Sequence, residues 1–179
     1  AEAGTKIAGV DGVRELIDRF EDDEVVIVTT GDGTTSAGEF WESLNSACNL
    51  NLPVVYVVED NGYAISVPVE VQTAGGSISK LVSGFPGLHI LECDGTDVVE
   101  AYRTAGEAIA YARERKGPAL IHAHCTRPYS HSMSDDERTY RTEEERTVQE
   151  VRDPLTRTRS LLIENGIASE EELDTLEAS

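Results

Sequence analysis

The sequence predicts an α/β protein whose sheet is mainly parallel with helices on both faces, and three observations lead there. Four short apolar or β-branched runs recur along the chain, each too brief for a helix of ordinary length. Segments of helical period separate the first two runs and the last two. Strand, helix and strand repeated in this way imply parallel pairing through right-handed crossovers.

Each element has its own signal. "EVVIVTT" (Glu24 to Thr30) lies between acidic residues and a glycine turn and is expected as a buried strand. Residues 36–50 follow as a helix, with Ser36 as N-cap and Phe40, Leu44 and Ala47 on one stripe. Trp41 on that helix reads as a core or interface residue. "PVVYVVE" (Pro53 to Glu59) is the second strand. The stretch from Asn61 to Gly87 holds five of the 15 glycines and reads as a long connection with one short helix around Ser77 to Val82. "LHILEC" (Leu88 to Cys93) is the third strand and "PALIHAHC" (Pro118 to Cys125) the fourth. Between them, Asp97 to Arg115 places Val98, Tyr102, Ala105, Ile109 and Ala112 on one helical stripe, closed by Lys116 and Gly117. Arg127 to Arg141 is polar and without a stable period, hence a loop. Beyond Pro154 two helices are expected, Leu155 to Glu164 and Ser169 to Leu176, with Asn165 and Gly166 as the stop between them. Residues 1–179 are expected as one domain, with 154–179 as a helical extension, and "AEAGTKIAGVDGV" at the start as part of a helix leading to the first strand.

Composition narrows the function. A hydrophobic fraction of 39% over 179 residues suits one folded core. The formal net charge of −19, with no basic cluster, opposes binding to nucleic acid or anionic lipid. No apolar run approaches the ~18 residues that span a bilayer, and the first residues lack a secretory signal, so a cytoplasmic protein is expected. Cys48, Cys93 and Cys125 are odd in number and widely spaced, as reduced, packed thiols would be. The acidic run from Glu164 to Glu177 reads as solvated helix surface.

In open α/β sheets ligands bind beyond the carboxyl ends of the strands, and three loops begin there, at Gly31, Asn61 and Arg127. Gly31 and Gly33 let the backbone turn sharply off a strand, and the helix that follows offers free amides to an anion such as phosphate. "GDGTTS" alone is weak: it lacks the Gly-Lys-Ser/Thr ending of a phosphate loop and the third glycine of a dinucleotide fingerprint. Asp32 read together with Asn61 says more. Mg²⁺ takes octahedral oxygen ligands, commonly one or two side chains with phosphate oxygens and water, and an acid and an amide at the ends of neighbouring parallel strands can meet on one such ion.

Gly31-Asp32-Gly33 followed by Asn61 resembles the thiamine diphosphate signature. That resemblance implies a thiamine diphosphate-binding fold in which the side chains of Asp32 and Asn61 and the backbone oxygen of Tyr63 hold Mg²⁺ on the cofactor's diphosphate, with Gly33 and Thr34 placing amides nearby. "NGYAISVP" (Asn61 to Pro68), "RPYSHSMSDDERTYR" and "DPLTRTRSLL" (Asp153 to Leu162) are similar to the α component of 2-oxoacid dehydrogenase complexes, the E1 decarboxylase, with a lean towards the branched-chain (2-oxoisovalerate) type over the pyruvate type. The similarity runs from about Glu24 to the end. It implies decarboxylation of a 2-oxo acid on thiamine diphosphate, acyl transfer to the lipoyl domain of E2, and work as a hetero- or homo-oligomer with an E1 beta component or a fused beta domain. The activating glutamate at the aminopyrimidine end belongs in such enzymes to that partner, and no candidate for it stands in this chain. The usual N-terminal segment of an α component is also not recognisable, so the chain reads as N-terminally truncated and inactive by itself.

The same resemblance makes His131 the loop histidine beside the cofactor, able to donate to phosphate or shuttle a proton. Ser132 and Ser134 match positions phosphorylated in some relatives. Arg127 and Arg141 bracket the loop, with Asp135, Asp136 or Glu137 as their expected partners. Tyr129 or Ser130 stands where many relatives carry a second histidine, and an unperturbed phenol, titrating near pH ~10, cannot replace it at neutral pH. Two alternatives stay open: a transketolase-like enzyme, which would share Gly31, Asp32, Gly33 and Asn61 but not "SHSMSD" followed by "YRT", and a non-catalytic assembly module of the same fold. His122, His124 and Cys125 could form a soft-metal site, but on an internal strand histidines satisfied by neighbours are the commoner outcome.

Overall fold

The computed structural model describes residues 23–179. The helix expected over "AEAGTKIAGVDGV" lies outside them. Four strands make one parallel sheet: β1 (Val26–Gly31), β2 (Val54–Asp60), β5 (His89–Asp94) and β6 (Ala119–His124), in the spatial order β1-β2-β6-β5. A two-stranded hairpin, β3 (Tyr63–Ala64) with β4 (Val67–Pro68), sits apart. Each expected strand is present to within a residue or two.

The strand order explains the layers. The crossover from β1 to β2 runs in one direction across the sheet and that from β5 to β6 in the other. Right-handed connections therefore send helix α1 (Gly38–Asn49) and helix α4 (Val98–Arg113) to opposite faces. Two apolar clusters follow from the alternation of side chains along the strands. On one face Phe40, Leu44 and Ala47 of α1 pack with Tyr56, Val58, Leu120 and Ile78. On the other Ala108 and Ala112 of α4 pack with Val55, Cys93, Ala119, Ile121 and Ala123. Trp41 packs at the margin of the first cluster, stacked on Phe85 at 6.1 Å.

Three expectations need correction. Strand β1 is not buried: Val26, Ile27 and Val28 are 40%, 54% and 40% exposed, and among the described residues β1 stands at the sheet's edge with β2 as its one partner. The stripe on α4 holds in its second half, where Ala112 is fully buried and Ala105 and Ile109 pack on the sheet, but not in its first turns: Val98 and Tyr102 are 49% and 81% exposed, and Ala108, outside the expected stripe, is fully buried. Ser36 does not cap α1. A 3₁₀ turn (Asp32–Ser36) carries the chain off β1, Ala37 takes the N-cap position, and the Ser36 hydroxyl donates instead to the Gln72 carbonyl at 3.2 Å.

The long connection contains two short helices, α2 (Val69–Gln72) and α3 (Ile78–Leu81), the second where one was expected. After β6 come α5 (Glu143–Val151), α6 (Pro154–Glu164) and α7 (Glu170–Glu177). Helix α5 was not anticipated, although Thr142 and Glu145 form a full capping box, a signal present in the sequence. Helix α6 is tied to the end of β5 through Asp94, which accepts from Arg157 at 2.7 Å and from Arg152 at 3.1 Å. Among the described residues no helix is long and apolar enough to cross a membrane.

Candidate functional site

The carboxyl ends of β1, β2 and β6 lie side by side. Gly31 pairs in register with Glu59, and Asp60 with His124, so Asp32 leaves β1 beside Asp60 and Asn61 at the end of β2. The structure thus brings Asp32 and Asn61 together, as their order in the sequence suggested. Asp32 is 1% exposed; its Oδ2 accepts from Gln72 Nε2 at 2.7 Å and its carbonyl from the Thr35 hydroxyl at 2.6 Å. Burial, and after it the charge of Asp60, pushes the Asp32 carboxyl above its ordinary range, against hydrogen bonds from its own backbone, Gln72 and the Asn61 backbone. Gln72 carries no sequence signal of its own, being one polar residue in a polar connection that folds back to β1.

Close approach is built into this corner. A Cβ on Gly33 would lie 2.7 Å from that of Ala64, so only glycine fits beneath the hairpin. Gly62 turns with φ 82°, in the left-handed region. Asn61 Oδ1 accepts the Tyr63 N–H at 3.2 Å and keeps a second lone pair. Tyr63 faces Pro68 across the hairpin, and proline brings no N–H to the Tyr63 carbonyl. A buried carboxylate crowded by a second one, an amide oxygen and a backbone carbonyl are all hard oxygen donors. That donor set fits a hard divalent cation, which would relieve the repulsion holding the Asp32 carboxyl up.

The loop from Arg127 to Arg141 closes over Tyr63. The Arg141 guanidinium lies 4.7 Å and that of Arg127 5.7 Å from the Tyr63 ring centroid. Arg141 is buried; its Nη1 donates to the Arg127 carbonyl at 2.7 Å and to Glu137 at 3.1 Å. Arg127 donates to the Ile65 carbonyl and to the Tyr140 hydroxyl, both at 2.8 Å, and reaches Asp135 only through that hydroxyl. Asp136 pairs with Arg138 instead. Of the expected partners, then, Glu137 pairs directly with Arg141. His131 is exposed and held by its backbone N–H, which donates to Asp135 Oδ2 at 2.8 Å. Ser132 and Ser134 are exposed, their hydroxyls 3.2 Å apart.

Behind the Asn61 turn, Asp60, His122 and His124 place ligand atoms within 4.8 Å of one another. Each is already engaged. His122 Nε2 meets Asp60 Oδ2 at 2.8 Å, His122 Nδ1 lies 3.2 Å from the Ser79 hydroxyl, and His124 Nε2 lies 3.2 Å from Glu92. The histidines are satisfied by neighbours, as expected. Cys125 packs against the backbone of Gly95, where an added Cβ would sit 2.7 Å from its sulfur. Sequence reasoning gave no role to Asp60, whose partner is fixed by the pairing of β2 with β6.

A family model described as "Dehydrogenase E1 component" matches residues 4–179. The chain is 37% identical over 169 residues to the 3-methyl-2-oxobutanoate dehydrogenase subunit alpha of Mycobacterium tuberculosis, covering 93% of this chain and 45% of that protein. It is 39% identical over 155 residues to the pyruvate dehydrogenase E1 component subunit alpha of Acholeplasma laidlawii, covering 86% and 45%. Against the protein of that name in Bacillus subtilis it is 40% identical over 151 residues, covering 83% and 40%. The chain spans less than half the length of these curated relatives.

Proposed function

The chain belongs to the dehydrogenase E1 component family, and from that premise we propose that it is the diphosphate-anchoring part of an E1 alpha component, serving oxidative decarboxylation of a small 2-oxo acid with acyl transfer to the lipoyl domain of E2. One observation carries the reading: the buried Asp32 and the Asn61 turn stand side by side at the ends of adjacent parallel strands. Thiamine diphosphate, held through Mg²⁺, supplies the nucleophile and the electron sink for decarboxylation.

This chain's own residues bind and orient. Asp32, Asn61 and the Tyr63 carbonyl hold the ion. Gly33 and Thr34 bring backbone amides to the diphosphate. His131, on the loop anchored by Arg127, Arg141 and Tyr63, donates a proton to phosphate or moves one at the mouth of the site. An E1 beta component or fused beta domain completes the other end of the cofactor. The phrase from Asn61 to Pro68, and a similarity to the Mycobacterium tuberculosis protein that extends over 93% of this chain against 86% and 83% for the two pyruvate dehydrogenase subunits, favour a branched-chain 2-oxo acid as substrate.

The test is release of CO₂ by the chain combined with an E1 beta chain, Mg²⁺ and thiamine diphosphate. Faster release from 3-methyl-2-oxobutanoate than from pyruvate is the expected result. A preference for pyruvate moves the substrate assignment, and no release from either, with no cofactor bound, overturns the enzyme reading in favour of an assembly module.

A further inference from the structure

The Asn61 turn rests on a hydrogen-bonded brace that the cation site does not itself use. Asp60, at the end of β2, is 7% exposed and divides its carboxylate between two elements. Oδ1 accepts the N–H of Gly62 at 2.8 Å, and Oδ2 accepts from His122 Nε2 at 2.8 Å. His122, on the central strand β6, is 1% exposed. Its Nδ1 meets Ser79 Oγ of α3 at 3.2 Å, Ser79 donates to Glu92 Oε1 of β5 at 2.6 Å, and Glu92 Oε2 lies 3.2 Å from His124 Nε2. Each ring nitrogen of His122 therefore has a polar neighbour within 3.2 Å, and the ring is boxed in between Asp60 and Ser79.

The consequence falls on Gly62. Its left-handed φ of 82° lets the chain reverse at Asn61, and the Asp60 carboxylate is the group that ties its amide down. Without a fixed partner on Oδ2, that carboxylate can rotate out of the turn. We propose that His122 is a positioning residue: clamped between Asp60 and Ser79, it locks the Asp60 carboxylate on the Gly62 amide and so presets the turn carrying Asn61 and Tyr63. As far as cation binding is concerned, this rests on the site reading given above.

Two readouts on the full chain test it: exchange of the Gly62 amide with solvent, and thiamine diphosphate affinity in the presence of Mg²⁺. His122→Leu is expected to speed Gly62 exchange about tenfold and to weaken Mg²⁺-dependent affinity about 10–100-fold, the range for loss of an outer-shell partner. His122→Gln, which keeps a donor towards Asp60, is expected to restore both to within about threefold of the parent chain. Should His122→Leu fail to fold, Ser79→Ala removes the support on Nδ1 and is expected to give the same pattern at about two- to fivefold. Unchanged Gly62 exchange in the folded variants overturns the proposal, and so does faster exchange with unaltered affinity. The exchange readout needs no cofactor, so a parent chain that binds none even with an E1 beta chain present sinks the cation-site reading while Gly62 still decides whether His122 positions the turn.

Discussion

Asp32 stands where folding and the cation binding proposed for it ask for opposite things. Its carboxyl is buried beside Asp60 and is pushed above its ordinary value of 3.8, so the ionised form costs stability once pH rises past that value. In Mg²⁺-free buffer Asp32→Asn, which keeps an oxygen for Gln72, is therefore expected to raise the melting temperature at pH 7 and to change it little at pH 4. An Asn variant that melts lower than the parent at pH 7 would contradict this account of the site. Cys125 offers a second check on local environment. Burial, and after it the charge of Glu59, pushes its thiol up to about 11, so the folded chain should resist iodoacetamide at Cys125 at pH 8 and react there once denatured. Mass mapping of the alkylated cysteines reads this directly. At this scale Asp32 and Asn61 were legible in the sequence because a carboxylate and an amide follow two strand-like runs. Gln72, Asp60 and His122 were not, because their roles come from partners that only the tertiary fold supplies.

Among the elements, α5 decides how the Arg127–Arg141 loop is pinned. Its capping box closes in both directions: Thr142 N–H donates to Glu145 at 2.7 Å, and Glu145 N–H donates to the Thr142 hydroxyl at 3.1 Å. Glu145 also accepts from the Tyr63 hydroxyl at 3.2 Å, joining the start of α5 to the candidate site. Thr142→Ala is expected to cost about 1 kcal/mol, the usual value of an N-cap, measurable by urea unfolding. It should also increase proteolytic nicking between Tyr129 and Arg138. The sequence carried this helix in its Thr-x-x-Glu signature, but the surrounding acidic run masked it. The error on α4 had another cause. Helical period placed Ala105, Ile109 and Ala112 correctly, but it gave Val98 and Tyr102 to the core because they are apolar, whereas the small Ala108 is what lies against the sheet.

For the molecule as a whole, the parallel sheet was legible because four short apolar runs alternate with helical or turn-rich segments. The order β1-β2-β6-β5 was not, since apolar periodicity does not say which strands are neighbours. That order puts β2 between β1 and β6, so one pairing sets Asp32 beside Asn61 and the other sets His122 against Asp60. Among the described residues it also leaves β5 at the far edge, where Asp94 anchors α6. Burial pushes the Asp94 carboxyl up, but hydrogen bonds from the Thr96 hydroxyl, Arg157, the Thr96 N–H and Arg152 outweigh it and hold the carboxyl well below the usual range. A carboxyl depressed in the folded state stabilises above its ordinary value and loses that contribution as pH falls below it. Asp94→Asn should therefore lower the melting temperature at pH 7, with the difference from the parent shrinking as pH drops below about 4. The proposed function rests on Asp32 and Asn61 meeting on one divalent cation that carries a diphosphate. Its most direct test is calorimetric titration of thiamine diphosphate into the chain, with and without Mg²⁺, beside the Asp32→Ala variant and with an E1 beta chain present. Binding that requires Mg²⁺ and is lost in Asp32→Ala is the expected result. Binding that is indifferent to Mg²⁺ or to the substitution, or no binding with the partner present, would contradict it.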